Sequence, residues 1–126
     1  MHIKLSSVLV DDQAKALAFY TDSLGFEKIN DIDLGEYRWL TVAEANETNL
    51  ELLLEPNAHP AALAFQQAIY ADGIPATVLY TDDINQEYQR LVDNGVSFKG
   101  EPVNSGGTWL AIFDDTCGNW IQLVQV

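Results

Sequence analysis

Apolar and polar positions divide the first half of the chain into one strand, one helix and three further strands. Residues 3–10 carry β-branched and apolar side chains close together, which is typical of a strand. Asp11-Asp12 then precede apolar residues at helical spacing, and Gly25 is placed to end that helix. A second strand is predicted to begin at 26–29, and two further strands are predicted at 35–43 and 48–55.

The second half of the chain returns to the same order after a connecting segment. Two prolines within 56–60 predict a loop, because proline cannot continue a strand ladder, and 61–71 has helical spacing. Another helix follows the acidic pair at 82–83 and ends at Asn94-Gly95. The strands of this half are predicted at 74–81, 96–103, 108–113 and 119–126.

The two halves align as an internal repeat. Asp12 meets Asp83 at an offset of 71 residues, and Gly25 meets Gly95 at an offset of 70. A unit this small cannot bury its own sheet face, so the two copies should pair. Apolar residues repeat every 3.6 positions in the predicted helices and every 2 positions in the predicted strands, and each half has one helix and several strands. This order favours the α+β class. We predict a single domain over 1–126, with module 1 at about 1–56, a connecting helix at about 60–72 and module 2 at about 74–126.

Composition narrows the classes of function. The chain of 126 residues is 48% hydrophobic and 20% charged, which indicates a folded protein. Six Lys plus Arg against 19 Asp plus Glu give a net charge of −13, which opposes binding to nucleic acid and to anionic membrane surfaces. The acidity is compatible with a cationic ligand and also with solubility alone.

Location is predicted from what the sequence lacks. No apolar run approaches the ~20 residues of a membrane span, and the start of the chain has no long apolar stretch of the kind found in signal peptides. The single cysteine, Cys117, cannot form an internal disulfide, which fits a reducing compartment. We therefore expect a cytoplasmic protein without membrane partners.

Three motifs resemble one known superfamily. Residues 10–13, 16–20 and 24–26 resemble the opening signature of the glyoxalase/bleomycin resistance/extradiol dioxygenase proteins, also called the vicinal oxygen chelate superfamily. Residues 83–96 resemble its second-module helix, and 113–119 resemble the turn before its last strand. The resemblance implies two βαβββ modules forming a cupped, mixed eight-stranded sheet around a cleft, and a homodimer. It does not choose a function, because this fold serves isomerases, dioxygenases, thiol transferases and drug-binding proteins.

The resemblance also implies where a metal would be held. The four ligand positions of the metal-dependent relatives correspond to Leu5, Glu51, Ala76 and Gln122. Leu5 and Ala76 offer no donor atom, Gln122 is a weak ligand, and Glu51 alone is an ordinary one. We expect no cofactor, and a divalent metal is retained only as an alternative.

The same correspondence, extended by strand alternation, predicts the lining of the cleft. Small-molecule pockets are usually apolar with a few convergent polar groups, and the tryptophans would add flat surfaces for stacking or for a cation. Core or dimer packing is the alternative for each tryptophan. The predicted cleft residues are Leu5, Ser7, Arg38, Trp39, Glu51, Leu53, Ala76, Val78, Tyr80, Trp109, Trp120 and Gln122.

Glu51 is the one candidate catalytic residue, and its role is left open. A carboxylate in an apolar cleft suits a cationic ligand or a general base. The alternatives are an ion pair with Arg38 on the neighbouring strand or an outward position at the rim. Arg38 itself would then form a surface ion pair, or hold an anionic group. Cys117 has no histidine near it in sequence to activate it, so we expect an unreactive thiol.

Three hypotheses of function follow. The first is metal-independent binding of a small molecule, cationic or aromatic, in the cleft. The second is a glyoxalase-like lyase, isomerase or dioxygenase that uses a divalent metal or Glu51 as a base. The third is a dimeric interaction module without a ligand.

Overall fold

The computed structural model of the protein describes residues 1–46 and 49–126. Within them, each half of the chain forms a strand, a helix and three strands, and a helix connects the halves. The first helix continues without a break into one π-helical turn, Phe19–Ser23. The elements in chain order are β1 (Leu5–Val10), α1 (Gln13–Ala18), β2 (Glu27–Asp33), β3 (Arg38–Ala43), β4 (Glu51–Pro56), α2 (Pro60–Ala71), β5 (Pro75–Thr81), α3 (Ile84–Asp93), β6 (Val103–Ser105), β7 (Thr108–Asp114) and β8 (Trp120–Gln125).

The eight strands form two four-stranded sheets with the same internal order. The first runs β1-β4-β3-β2 and the second β5-β8-β7-β6. The first strand of each module lies parallel to its last strand, and the other pairings are antiparallel. Two βαβββ modules of the α+β class are therefore confirmed, with the strands divided between two sheets that do not close.

The largest difference from the predicted strands lies at 96–103; β3 and β4 each begin three residues later than predicted, and residue 48 of the predicted fourth strand lies outside the described residues. The segment 96–103 was expected to be β6, but the strand begins only at Val103, and Phe98 makes an isolated bridge to Phe113 instead. Pro102 lacks a backbone N–H and Gly100 weakens strand structure, so a continuous ladder does not form there. The apolar residues of the segment still pack inward, because Val96 is buried in the core.

The core lies on the helix side of both sheets, where α1 and α3 pack. Asp12 and Asp83 begin these helices by accepting hydrogen bonds from the backbone N–H groups of Lys15 and Gln86. Among the described helices, none has the length and apolar character needed to cross a membrane. The buried core includes Val8, Val10, Leu40, Val42 and Leu54 from the first sheet and Ala111, Phe113, Ile121 and Leu123 from the second.

A buried amide on α2 joins the two modules. The side-chain Nε2 of Gln66 donates to the backbone oxygens of Leu9 at 3.0 Å and Cys117 at 3.2 Å, and to Oδ1 of Asn119 at 3.1 Å. The amide of Asn119 also donates to the Leu9 oxygen, at 2.7 Å. The end of β1 is thereby held against the turn before β8, which fixes how the open faces of the two sheets stand to each other.

Candidate functional site

The faces of the two sheets that point away from α1 and α3 carry most of the predicted cleft residues. Leu5 lies beside Glu51 in the parallel β1–β4 pair, and Val78 lies beside Gln122 in the equivalent β5–β8 pair. We call these surfaces the cleft faces. The predicted residues on them are Leu5, Ser7, Trp39, Glu51 and Leu53 in the first sheet and Val78, Tyr80, Trp120 and Gln122 in the second.

Arg38 does not lie on a cleft face, which corrects its predicted place in the cleft. It alternates with Trp39 and so shares the helix side of β3 with Leu40. Its guanidinium donates to Asp31 through Nε at 2.9 Å and through Nη2 at 2.7 Å. These hydrogen bonds hold the pKa of Asp31 at about 2. Arg38 is therefore the surface ion pair that the sequence offered as one alternative.

Trp109 also lies on the other side of its sheet. Its neighbours Leu110 and Ile112 pair with the cleft-face residues Val124 and Gln122, so alternation places Trp109 on the helix side at the start of β7. The prediction that put Trp109 in the cleft took tryptophans by type and not by strand register.

Ala76 lies at a β-bulge. Pro75 pairs with Trp120 and Thr77 with Ile121, which leaves Ala76 as the extra residue of β5. Its side chain is exposed, and it brings no donor atom to the position where relatives supply a metal ligand.

Trp120 is already in contact with other side chains. Its indole stacks on Tyr70 of α2, with ring centroids 4.9 Å apart and planes 5° apart. The indole Nε1 donates to the Tyr70 backbone oxygen at 3.1 Å, and the Lys99 ammonium lies 4.4 Å from the ring centroid. These contacts tie β8 to the connecting helix, so Trp120 is less available as a stacking surface for a ligand.

A cavity of about 500 Å³ opens between β5 and the facing ends of β3 and β4. This size is within the range of small-molecule pockets, roughly 300–1,000 Å³. Three carboxylates line it (Glu44, Glu51 and Asp82) together with the aromatic rings of Phe26 and Tyr80. Among the described residues of its lining there is no lysine, arginine or histidine. We call it the acidic cavity.

Glu51 is held in the acidic cavity by neutral groups. Its Oε1 accepts a hydrogen bond from the Thr41 hydroxyl at 2.6 Å and another from the Asn30 side-chain amide at 2.8 Å. Thr41 is fully buried and in turn accepts from the Asn30 backbone N–H at 3.1 Å. Glu51 therefore has a fixed position without the ion pair to Arg38 that was one of the alternatives, and its negative charge is not neutralised by an ion pair among the described residues.

Of the predicted cleft residues, Glu51, Val78 and Tyr80 line the acidic cavity. Its lining residue Asp82 was not predicted, and neither were Asn30 and Thr41, which hold Glu51 from outside the lining. Asn30 reaches Glu51 because β2 has a bulge between Lys28 and Asn30, and a bulge shifts which side chains face the cleft. Thr41 could have been found, because alternation from Trp39 places it on the same face and it is the polar residue of an apolar strand. Asp82 was interpreted as part of a helix cap, but Asp83 alone forms that cap.

The donor set does not fit the metal centre of the metal-dependent relatives. Leu5 lies directly beside Glu51 in the β1–β4 register, and its side chain has no donor atom. Ala76 is equally without one, so two of the four ligand positions are lost. Within the described residues, no three His, Cys, Asp or Glu side chains come together as a possible metal group. No step of the proposed function is therefore assigned to a metal.

Cys117 lies near the junction of the two modules and not at the cavity. It is fully buried, and burial raises the pKa of its thiol to about 12. A thiol with so high a pKa is not an effective nucleophile at neutral pH.

The fold, the repeated modules and the cleft faces define a glyoxalase-type protein. Residues 2–123 match the Glyoxalase/Bleomycin resistance protein/Dioxygenase superfamily, so the chain belongs to this family. The uncharacterized protein YurT of Bacillus subtilis (strain 168) is 49% identical over 126 residues, covering 99% of each chain.

Two solved structures resemble the protein over its whole length. UcmS2 is 35% identical with a TM-score of 0.86, covering 100% of this chain and 98% of the other. TnmS3, an antibiotic binding protein from Streptomyces sp. CB03234, is 32% identical with a TM-score of 0.78, covering 99% of this chain and 95% of the other.

Proposed function

We propose that this protein binds a positively charged small molecule with an aromatic part in the acidic cavity, without a metal ion. The observation that carries the proposal is the lining of the cavity, where Glu44, Glu51 and Asp82 lie with two aromatic rings and no basic side chain among the described residues. Carboxylates in a partly desolvated site attract a cation, and aromatic rings add a cation–π contribution.

The geometry of Glu51 supports a binding role. Thr41 and Asn30 fix its carboxylate before a ligand arrives, so less ordering is needed on binding. The similarity to TnmS3, which is described as an antibiotic binding protein, supports binding of a drug-like molecule. We place the protein in the cytoplasm, where the reduced thiol of Cys117 is expected to persist.

The proposal is tested with two probes that share one ring system. Proflavine is a cation at neutral pH, and acridine is mostly neutral there. We expect proflavine to raise the melting temperature and to bind in calorimetry much more tightly than acridine, because only proflavine gains from the carboxylates. Glu51→Gln should weaken proflavine binding roughly tenfold, which is about 1.4 kcal/mol, and should leave acridine unchanged.

Glu55→Gln is the matched control for this experiment. Glu55 is exposed on the same strand and the same face, and it does not line the acidic cavity. The substitution removes the same charge, so it separates a local effect from a change in the net charge of −13. Equal affinity for proflavine and acridine, or equal losses in the two variants, would overturn the proposal.

A homodimer belongs to the same proposal. The cleft faces expose apolar side chains, with Leu5 at 37%, Val78 at 39% and Tyr80 at 66% relative exposure. Exposed apolar patches on a folded protein are typical of interaction sites, and these side chains are candidates for one. A second copy of the chain that covers these faces would also enclose a bound ligand.

A further inference from the structure

A second and smaller cavity lies beside the acidic cavity, on the helix side of the sheets. Its volume is about 200 Å³. It lies where the α1–β2 turn of the first module meets α3 and the second sheet, and we call it the inter-module chamber. Its apolar walls are Leu24, Phe26, Leu79, Leu91, Phe113 and Leu123.

One wall of the inter-module chamber belongs to the interior of the protein. Leu91, Phe113 and Leu123 have relative exposures of 3% or less. Leu79 pairs with Leu123 on the helix side of the second sheet, opposite the face that carries Val78 and Gln122. The inner wall of the chamber therefore lies on the helix side of the second sheet and not on its cleft face, and a group against this wall would be partly desolvated.

The chamber and the acidic cavity share part of their walls. Phe26, Glu44, Leu79 and Tyr80 line both. A molecule with its charge near Glu51 can therefore extend past these shared residues without leaving protein surface.

One charged pair of the chamber, Arg90 with Glu87, is already satisfied by hydrogen bonds. Arg90 donates through Nε to Glu87 Oε1 at 2.9 Å and through Nη2 to the Leu24 backbone oxygen at 2.8 Å. The arginine thus holds the α1–β2 turn against α3, and its charge is balanced by Glu87. The chamber therefore combines an apolar wall with the polar residues Glu44 and Tyr80, and the charge of Arg90 is not free to bind an anion.

We propose that the inter-module chamber is a subsite for an apolar group, alkyl or aromatic, of the cationic ligand. This inference rests on the proposed function of the acidic cavity. A cavity of about 150 Å³ lined by leucine, isoleucine and phenylalanine side chains holds benzene in another protein. The chamber of about 200 Å³ is thus large enough for one aromatic ring or a short alkyl chain. The preferred ligand is amphipathic, with its charge in the acidic cavity and its apolar end in the chamber.

The test uses butyl-, hexyl- and octyltrimethylammonium ions in calorimetry with the full chain. If the tail enters the chamber, affinity should rise about fourfold per added methylene, since burying one contributes about 0.8 kcal/mol. The heat-capacity change should also become more negative with chain length. Leu123→Phe fills the chamber, and we expect it to remove the gain with chain length while butyltrimethylammonium binds as before.

Two further variants keep the test decisive. Leu91→Phe narrows the chamber from α3 and should act like Leu123→Phe, which covers the case in which one of them fails to fold. Val92→Phe is the control, because it adds bulk on the same helix at a residue outside the chamber. It should keep the full dependence on chain length.

The outcomes separate this inference from the proposed function. Binding of all three ions with no dependence on chain length, or the same dependence in the filled variants as in the wild type, would overturn the subsite. No binding of any member would also overturn the subsite, whereas the proposed function is decided separately by the comparison of proflavine with acridine.

Discussion

At the scale of single residues, Asp115 shows how burial and hydrogen bonding compete. Its side chain is fully buried, and burial is the largest influence on its pKa, which is raised above the ordinary value. Hydrogen bonds act in the opposite direction, including one of 2.8 Å from the Tyr20 hydroxyl. Folding therefore favours the neutral carboxyl. That contribution to stability is complete below the ordinary pKa of about 3.9 and is lost as the pH rises through the folded value.

Removal of the Tyr20 hydroxyl should reveal this balance. In Tyr20→Phe the Asp115 carboxyl loses a donor inside the core, so we expect a loss of about 1–3 kcal/mol of unfolding free energy at neutral pH. The loss should shrink as the pH falls through the raised pKa of Asp115, because the hydroxyl stabilises the ionised carboxylate more than the neutral carboxyl. Urea denaturation at several pH values measures it, with Tyr37→Phe on the surface as the control. A loss independent of pH would contradict this account.

Strand alternation in the sequence determines the sheet face on which a residue lies, but it does not predict which side chain of a neighbouring strand that residue contacts. Glu51 lies on a cleft face beside Leu5, and its partners Thr41 and Asn30 were not predicted. Asp82 and Asp83 are identical side chains in adjacent positions, and only the local backbone makes one a helix cap and the other a cavity residue.

At the scale of elements, α2 does not follow the usual pattern in which a helix buries its apolar residues and exposes its polar ones. Its one fully buried residue is the polar Gln66, while Leu63 and Phe65 are exposed. Gln66 makes three hydrogen bonds with Nε2, and its Oε1 accepts from the Asn57 amide at 2.7 Å. The helix is held in place by this amide network more than by an apolar stripe.

Gln66→Ala should therefore destabilise the protein by about 2 kcal/mol or more, because it leaves buried polar groups with fewer partners. Gln67→Ala, at the exposed next position of the same helix, should change the unfolding free energy by less than about 0.5 kcal/mol. Thermal and urea unfolding measure both. Hydrogen exchange should also speed up in β1 and in the turn before β8. Equal effects in the two variants would show that α2 does not join the modules through Gln66.

The order of the elements was predictable because the period of apolar residues changes between 3.6 and 2 along the chain. The bulges at Ile29 and Ala76 were not predictable, because an extra residue does not change the composition of a strand. A bulge is recognised only from the pairing of two strands. The prediction of a strand that begins at residue 96 was wrong for a related reason. Its apolar residues pack into the core from a loop, and alternation alone does not distinguish that from a strand.

At the scale of the whole molecule, each sheet has one covered face and one open face. The covered faces share a single core with α1 and α3, whereas the open cleft faces carry exposed apolar side chains. A net charge of −13 keeps molecules apart at long range, although salt screens that repulsion beyond roughly 8–10 Å. Pairing is therefore expected to depend on apolar contact at the cleft faces and to persist at high salt.

We expect light scattering after size exclusion to give twice the 14.0 kDa mass of the chain. Leu5→Glu should shift the mass towards one chain, because it places a charge on a cleft face beside Glu51, where a second copy would have to bury it. Val92→Glu is the control, since Val92 lies on α3 at the opposite side of the fold and should leave the mass unchanged. A wild-type mass of one chain at high protein concentration would exclude the homodimer. An unchanged dimer in Leu5→Glu would instead place the interface elsewhere, with the apolar surface of α2 around Phe65 as the next surface to test.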